Sequence, residues 1–264
     1  MKNKERVLVT GASSGIGKAI SLLLLEEGYE VLGTSRNPDT IKDKIDGVKY
    51  YALDLQDSES IDALSKQIGD IDILINNAGQ SQVGPLEEVP MENIYSLFEV
   101  NLFGIIRLTK SILPTMRKRK KGSIINISSM SGVFGVGFTP VYCGTKFAME
   151  GIFRALRQEV YPFGIKVVMV QPGYIATGLK QEAFMGEGRD YFEAAKKFRA
   201  IRDHNIETGA KAEEVAKKVL KIIKMKSPKA TYPVGGDAPR NVFLSRILPY
   251  RLIEKYQRRK FSKV

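Results

Sequence analysis

The chain has 264 residues, of which 43% are hydrophobic, and its formal net charge is +12. This length supports a large hydrophobic core, and the lack of any apolar run long enough to cross a bilayer, or of a signal-peptide pattern near Met1, argues against a membrane-spanning or exported protein. The single cysteine, Cys143, excludes an internal disulfide and is typical of the reducing cytoplasm, where we expect this protein.

Short β-branched runs alternate with segments of helical periodicity along most of the chain. The predicted strands are RVLVT (6–10), EVLGTS (30–35), VKYYAL (48–53), IDILIN (71–76), SIINIS (123–128), KVVMVQ (166–171) and ATYPV (230–234). The predicted helices cover about 16–27, 58–68, 91–117, 140–160 and 211–226. This order predicts an α/β fold: a single doubly wound Rossmann-type domain over 1–264, with a seven-stranded parallel sheet flanked by helices on both faces.

A glycine-rich segment, TGASSGIG (10–17), joins the first predicted strand to the first predicted helix. Its glycines, Gly11, Gly15 and Gly17, would let the backbone approach a pyrophosphate that lies at the positive end of the helix. A tight structural turn would need the same residues, but the position between a strand and a helix favours dinucleotide binding.

The second predicted strand ends with Ser35 and Arg36, where dinucleotide folds that prefer NAD carry an acid. A guanidinium can pair with the adenosine 2′-phosphate, which a carboxylate would repel. The sequence therefore predicts NADP(H) as the cofactor, with NAD(H) as the less favoured alternative.

Tyr142 and Lys146 lie one helical turn apart at the start of the fourth predicted helix. An ammonium group near a phenol favours the phenolate and lowers its pKa, so the pair could form a tuned acid/base. Two surface residues of a helix would show the same spacing, which leaves the choice to the other motifs.

Two regions depart from the alternating pattern. Residues 173–208 show no strand pattern, and we interpret them as a substrate lid with Gly186 and Gly188 as hinges. Residues 239–264 form a basic, predicted helical extension, interrupted by Pro249. The extension either covers the substrate pocket, lies on an anionic membrane surface, packs on a neighbouring subunit or, as the favoured interpretation, docks on its own core.

Taken together, seven ordered motifs resemble those of the classical short-chain dehydrogenase/reductase family over about residues 5–235. They are TGASSGIG (10–17), DL (54–55), NNAG (76–79), Asn101 in VNLFG, NISS (126–129), YCGTK (142–146) and PG (172–173). Each motif is weak by itself, but their order and their placement on strands and turns are specific.

The resemblance implies a role for each matching residue. Tyr142 would be the general acid/base, Lys146 would lower its pKa and bind the nicotinamide ribose, Ser129 would bind the substrate oxygen, and Asn101 would hold a water of a proton relay. Asp54 would contact the adenine, Asn77 would support the loop, and Thr177 would contact the nicotinamide carboxamide. The implied cofactor-binding residues are Gly11, Ser13, Ser14, Gly15, Ile16, Gly17, Ser35, Arg36, Asp54, Leu55, Asn77, Ala78, Gly79, Tyr142, Lys146, Pro172, Gly173, Ile175 and Thr177.

These residues predict hydride transfer between the cofactor and a carbonyl or secondary alcohol. The predicted pocket is apolar, with Met130, Val133, Phe134, Val136, Phe138, Phe184, Met185, Tyr191, Phe192 and Phe198, which favours an apolar substrate, although the same residues could merely pack the lid. Two alternatives stay open: a 3-ketoacyl-thioester reductase of the same family and a non-catalytic dinucleotide-binding regulator. We expect a homodimer or homotetramer, no metal and no nucleic-acid partner, and contact of the basic extension with a membrane is an open option.

Overall fold

The computed structural model of the protein describes residues 4–177 and 181–261, so 178–180 of the predicted lid and 262–264 of the predicted extension lie outside the described residues. The α-helices are α1 (Gly15–Glu26), α2 (Ser58–Ile68), α3 (Met91–Phe98), α4 (Gly104–Arg119), α5 (Pro140–Glu159), α6 (Phe192–Glu207), α7 (Ala212–Ile223), α8 (Ala238–Ile247) and α9 (Tyr250–Phe261). The strands are β1 (Arg6–Val9), β2 (Glu30–Ser35), β3 (Lys49–Ala52), β4 (Ile73–Asn76), β5 (Ser81–Val83), β6 (Gly122–Ile127), β7 (Ile165–Pro172), β8 (Ile175–Ala176), β9 (Gln181–Ala183), β10 (Ala210–Lys211) and β11 (Thr231–Val234).

The central sheet of the described chain has seven parallel strands in the order β11-β7-β6-β4-β1-β2-β3. Each of them corresponds to one of the predicted strands, and the predicted parallel sheet with helices on both faces is confirmed. The inner strands, such as β1 and β4, are apolar because helices cover both faces of the sheet, which is the usual arrangement of a parallel sheet. The edge strand β3 is half-buried or exposed.

Alternate side chains of the strands feed two separate cores. On one face, Leu8 and Leu74 join Leu108 of α4 and Phe153 of α5 in a cluster that also includes α2. On the other face, Val7 and Val9 join apolar residues of α1 and α7. The period-two alternation of strand side chains therefore divides one sequence run between two helical layers.

The strand order reverses between β1 and β4, because β2 and β3 lie on one side of β1 and the later strands lie on the other. The loops that leave the carboxyl ends of β1 and β4 diverge at this point and leave a crevice, where open α/β sheets bind their ligands.

The expectation that residues 173–208 contain no strand is wrong. β8 pairs with β10, and β9 pairs with β5, in two small parallel sheets outside the central one. These strands have only two or three residues each, so they carry no hydrophobic period, and their pairing depends on partners distant in sequence. The rest of the segment includes α6, a helix of 16 residues.

The C-terminal extension forms α8 and α9, which Pro249 separates as expected. Ala238 and Val242 of α8 are fully buried and pack against Met130 and Phe134. This contact docks α8 on the turn that follows β6. Among the described residues, no helix combines the length and apolarity that are needed to cross a membrane.

Candidate active site

A cavity of about 380 Å³ lies at the carboxyl ends of the central strands, at the reversal of strand order. The predicted site residues on its wall are Gly11, Ser13, Ser14, Gly15, Ile16, Ser35, Arg36, Asp54, Leu55, Asn77, Ala78, Gly79, Ser129, Tyr142, Lys146, Pro172, Gly173, Ile175 and Thr177. Two predicted residues, Gly17 and Asn101, are not on the wall but lie behind it. Residues separated by up to 166 positions thus meet in one space because parallel strands all end at the same edge.

The glycine-rich loop follows β1 and precedes α1. Gly11 and Gly15 have φ of +66° and +53°, a region that favours glycine. A Cβ on Gly17 would lie 2.2 Å from the Gly11 carbonyl oxygen, so α1 can pack this closely on the loop only without a side chain there. The first turn of α1 contains no acidic residue, which keeps its positive end suitable for an anion.

Asn77, at the end of β4, supports this loop from below. Its side-chain amide donates to the carbonyl oxygens of Thr10 and Gly11 at 2.9 and 3.3 Å. The backbone amides of Asn77 and Ala78 both donate to the Thr10 hydroxyl at 2.9 Å. These bonds hold the two diverging loops in a fixed relation.

Ser35 ends β2, Arg36 follows it, and both line the cavity. The Ser35 hydroxyl oxygen is buried and has no hydrogen-bond partner among the described residues. Arg36 is exposed and forms no ion pair with an acid among the described residues. Both groups are therefore available to a ligand that carries an anionic group.

Tyr142 lies in the first turn of α5, which begins at Pro140. Burial raises the pKa of its phenol, whereas a hydrogen bond with Ser129 and the charge of Arg202 lower it. The expected direction of the shift is therefore wrong in this structure: the net shift is upward, and Lys146 is not among the groups that change this pKa. The Lys146 ammonium nitrogen lies 5.8 Å from the centre of the phenol ring, and desolvation outweighs the attractive charges.

Lys146 is buried one turn further along α5. Its ammonium donates to the Ile127 carbonyl at 3.0 Å, and burial lowers its pKa to about 8, while the charge of Glu150 acts in the opposite direction. Glu150 is itself buried and accepts hydrogen bonds from Gln171 at 2.9 Å and Arg154 at 2.7 Å. The sequence analysis missed Glu150, although its spacing of four residues from Lys146 was a visible signal.

Asn101 lies in a single π-helical turn, Glu99–Phe103, between α3 and α4. Its side chain accepts a hydrogen bond from the backbone N–H of Gln80 at 2.8 Å. It donates to the backbone carbonyl of Gln80 at 2.9 Å and to the Thr145 hydroxyl at 3.2 Å. The wider turn inserts one polar side chain into an apolar helix, and such turns are frequent at functional sites. Asn101 thus positions the loop after β4 against α5.

The apolar residues predicted for the pocket separate into two groups. Met130, Val136 and Phe198 line the cavity, and Phe138 packs against Phe198 with ring centres 5.6 Å apart. The others lie away from the cavity wall: Val133 and Phe134 pack with α8, Phe184 packs with Val89 and Leu97, and Met185, Tyr191 and Phe192 are outside the lining.

Several further residues on the wall were not predicted, among them Gln80, Ser128, Tyr174 and Arg202. Arg202 projects from α6, and Tyr174 hydrogen-bonds Asn205 of the same helix. None of them belongs to a motif that the sequence alone would single out, apart from Ser128, which lies next to Ser129.

The residues present fit a dinucleotide cofactor. A Cβ at Gly17 would collide with the Gly11 carbonyl and disturb the loop. Ser35, whose hydroxyl has no hydrogen-bond partner among the described residues, and Arg36 line the same cavity as Tyr142 and Lys146. Among the described residues, no group of three or more His, Cys, Asp or Glu side chains could hold a metal ion.

Comparison with known proteins agrees with this geometry. The sequence profile described as short chain dehydrogenase matches residues 5–188. The chain is 37% identical over 237 residues to a 3-ketodihydrosphingosine reductase of Bacteroides thetaiotaomicron, covering 87% of each chain. It is 32% identical over 273 residues to an NADPH-dependent 3-dehydrocapnine reductase of Ornithobacterium rhinotracheale, covering 94% of each.

A solved structure of a short-chain dehydrogenase from Streptomyces avermitilis superimposes with a TM-score of 0.85 at 32% identity. The match covers 100% of this chain and 98% of that one. The similarity therefore includes the segments around α6, α8 and α9 as well as the central sheet.

Proposed function

The chain belongs to the short-chain dehydrogenase/reductase family of oxidoreductases, and from this premise we propose that it is an NADP(H)-dependent enzyme that transfers a hydride between the nicotinamide and a carbonyl or secondary alcohol. The observation that carries the proposal is the convergence of Ser129, Tyr142 and Lys146 on one cavity that also contains the glycine loop. Such a cavity holds both a dinucleotide cradle and a proton donor.

The proposed chemistry assigns the proton to Tyr142. When bound, the cofactor supplies or accepts the hydride. In reduction, Tyr142 donates the proton from its Oη to the substrate oxygen, and Ser129 donates a hydrogen bond to the same oxygen as negative charge grows there. Because burial raises its pKa, the phenol is protonated at neutral pH, which suits the direction of carbonyl reduction.

Lys146 is the proposed positioning group for the cofactor ribose and for the phenol. Its ammonium is held by the Ile127 carbonyl, and Glu150 supplies a compensating charge on the same helix. Asn101 is proposed to complete the proton path, because it connects the Gln80 backbone to α5 next to Lys146.

NADP(H) is proposed over NAD(H). Arg36 and the buried, unpartnered Ser35 hydroxyl can both bind a 2′-phosphate, and no acid stands at these positions. The NADPH-dependent relative from Ornithobacterium rhinotracheale supports this choice.

The proposed substrate carries an apolar portion. Met130, Val136 and Phe198 supply apolar wall next to Tyr142, and the relative from Bacteroides thetaiotaomicron is a 3-ketodihydrosphingosine reductase. We further propose that residues 173–208 act as a lid of a single catalytic unit, with α6 as its main element and Gly188, at φ +79°, as a hinge.

The proposed quaternary structure is a homodimer or homotetramer formed through the helices from α3 to α5. Large apolar side chains are exposed on these helices, among them Phe103, Phe147 and Ile152. A subunit interface would bury them.

The C-terminal extension is proposed to contact an anionic membrane surface from the cytoplasm. Phe243 and Ile247 of α8 are 61% and 58% exposed, and Leu252 of α9 is also exposed. Arg251 and Lys255 are exposed on α9 as well. Exposed apolar side chains that are accompanied by basic ones favour the membrane interface.

Vesicle sedimentation tests the membrane contact. With phosphatidylserine vesicles, the double change Arg251→Glu and Lys255→Glu should weaken binding roughly tenfold or more, and vesicles of phosphatidylcholine alone should bind the unchanged protein weakly. The matched control is Arg117→Glu with Lys118→Glu, in the exposed basic run RKRKK (117–121) at the end of α4. Equal binding to both vesicles would contradict the proposed contact.

Turnover measurements test the main proposal. The protein should oxidise NADPH with a carbonyl panel that runs from short polar ketones to long apolar ones and includes a 3-ketoacyl thioester. Tyr142→Phe should reduce turnover about 100- to 10,000-fold without weakening NADPH binding, as followed by fluorescence. The control is Tyr95→Phe on the exposed part of α3. If NADPH binds but no carbonyl is reduced, or if Tyr142→Phe retains normal rates, the proposed mechanism fails.

A further inference from the structure

Arg202 is a half-buried cation on the proposed substrate side of the cavity. It lies on α6, lines the cavity together with Ser129 and Tyr142, and has the apolar neighbours Phe198 and Ile206 on the same wall. One terminal nitrogen, Nη2, donates to the buried Ser81 hydroxyl at 3.0 Å. This bond anchors α6 to β5 and fixes the direction of the guanidinium.

The other terminal nitrogen of Arg202 has no partner. Nη1 is buried, yet it forms no hydrogen bond within the described part of the chain. The adjacent acid on α6, Asp203, is within 3.6 Å of Arg199 instead, and among residues 4–177 and 181–261 no carboxylate forms an ion pair with Arg202.

A buried guanidinium nitrogen that lacks a hydrogen-bond partner has a physical cost. Arginine stays protonated at every physiological pH, and a buried charge without a counter-ion is destabilising unless another group compensates it. A pocket-lining arginine with one arm fixed and one arm free is the arrangement that binds an oxyanion, because a charge-assisted hydrogen bond is worth most where water is excluded.

Resting on the proposed function, we propose that Arg202 binds an oxyanion of the substrate, a group such as a carboxylate that lies close to the reacting carbonyl. Arg202 and Tyr142 share one wall, so the anion and the carbonyl oxygen must belong to neighbouring parts of one molecule. Phe198, Val136 and Met130 then hold its hydrocarbon portion. The substrate class is therefore an amphipathic oxo compound with an anionic group near the ketone, and not a neutral hydrocarbon ketone.

Arg202 belongs to the substrate side and not to the cofactor side of the cavity. The glycine loop, Ser35, Arg36 and Asn77 all follow the carboxyl ends of β1, β2 and β4, whereas Arg202 arrives from α6. A change at Arg202 is consequently expected to leave NADPH binding unchanged.

The test uses the full chain and a series of oxo acids in which the carboxylate stands at increasing distance from the ketone, each paired with its neutral amide. The unchanged protein should reduce at least one acid with kcat/KM about 10- to 100-fold above its amide. Arg202→Met should remove that preference by lowering kcat/KM for the acid and leaving it nearly constant for the amide. Arg202→Lys should retain part of it.

Three controls keep the result interpretable. Arg199→Met makes the same change on the exposed part of α6 and should retain the preference for the acid. Arg202→Met should bind NADPH and melt as the unchanged protein does, as measured by fluorescence and a thermal melt. Ser81→Ala removes the hydrogen bond that holds the guanidinium and should cause a smaller loss of the preference for the acid. Reduction of the amide measures the proposed oxidoreductase activity without the anionic group. If that activity were absent, neither the acids nor the amides would be reduced.

The proposal would be overturned if the unchanged protein reduced every amide with the same kcat/KM as the corresponding acid. An equal loss of kcat/KM for the acid and the amide in Arg202→Met would overturn the proposal too, because it would show that Arg202 acts without recognising the anionic group. Weakened NADPH binding in that variant would assign the guanidinium to the cofactor instead.

Discussion

The two walls of the cavity are built in different ways. The proposed cofactor wall consists mainly of backbone, a loop with glycines at positive φ, which the side-chain amide of Asn77 supports. The substrate wall consists of side chains such as Phe198 and Arg202, which α6 supplies from a distant part of the chain. A wall built from backbone restricts which residues can occupy it and therefore produces a recognisable sequence motif. A wall built from side chains can change its specificity without changing the fold.

If the cofactor wall depends on backbone clearance, Gly17→Ala should have the largest effect. The new Cβ would lie 2.2 Å from the Gly11 carbonyl oxygen and 2.5 Å from the Asn77 amide nitrogen, so the loop would have to shift. We expect NADPH affinity to fall by at least about 100-fold, as measured by fluorescence titration. Gly151→Ala, in open space on α5, is the control, and normal affinity in Gly17→Ala would remove the distinction between the walls.

Arg36→Asp should sharpen the comparison, because it changes the one exposed side chain on the cofactor wall that can read a 2′-phosphate. NADPH affinity should fall about 30- to 100-fold, while NADH affinity should change by less than about threefold. Lys42→Asp changes the same charge on a nearby exposed segment and should affect neither cofactor much. Equal losses for the two cofactors would show that Arg36 does not recognise the phosphate.

Lys146 belongs to both walls, and its burial should be visible as a pH effect on stability. Its folded-state pKa of about 8 lies below the ordinary value of 10.5, so the unfolded chain binds more protons between these pH values and stability rises with pH there. Denaturation at about pH 7.5 and about pH 9.5 should show the unchanged protein gaining about 2 kcal/mol relative to Lys146→Met. The same pH dependence in both proteins would mean that Lys146 titrates normally.

Phe198→Ala should have the smallest effect and should be confined to the substrate wall. The loss of a buried ring that packs on Phe138 should raise KM for apolar ketones about tenfold and leave NADPH binding unchanged. Phe243→Ala, on the exposed part of α8, is the control. A parallel loss of NADPH affinity would show that the two walls do not act independently.

Much of the cofactor wall could be predicted from the sequence, because its residues stand next to strand ends and carry local signals. Residues of TGASSGIG, NNAG and YCGTK line one cavity, although not every residue of these motifs does. The role of each residue stays a prediction, but their meeting in one cavity follows from a parallel sheet whose strands all end at one edge. The π-helical turn at Asn101 could not be predicted, because the apolar periodicity of residues 91–117 continues through it without a break.

The substrate wall could not be predicted in the same way. All ten apolar residues were candidates for the pocket or for packing of the lid, and of these ten only Met130, Val136 and Phe198 line the cavity. The others pack the fold, because an apolar side chain satisfies a core and a pocket equally well. The upward pKa shift of Tyr142 was missed for a related reason: spacing reveals a neighbouring charge but not the desolvation that outweighs it.

By itself the sequence determined the sheet, the order of its helices and the backbone cradle, since these depend on periodicity and on glycines that are local in the chain. Only the tertiary structure decided that Arg202 lines the same cavity as Tyr142, that its Nη1 is buried without a hydrogen-bond partner among the described residues, and that the desolvation of Lys146 lowers its pKa. Burial and unpaired charge depend on contacts between residues far apart in sequence, and no local pattern of residues contains them.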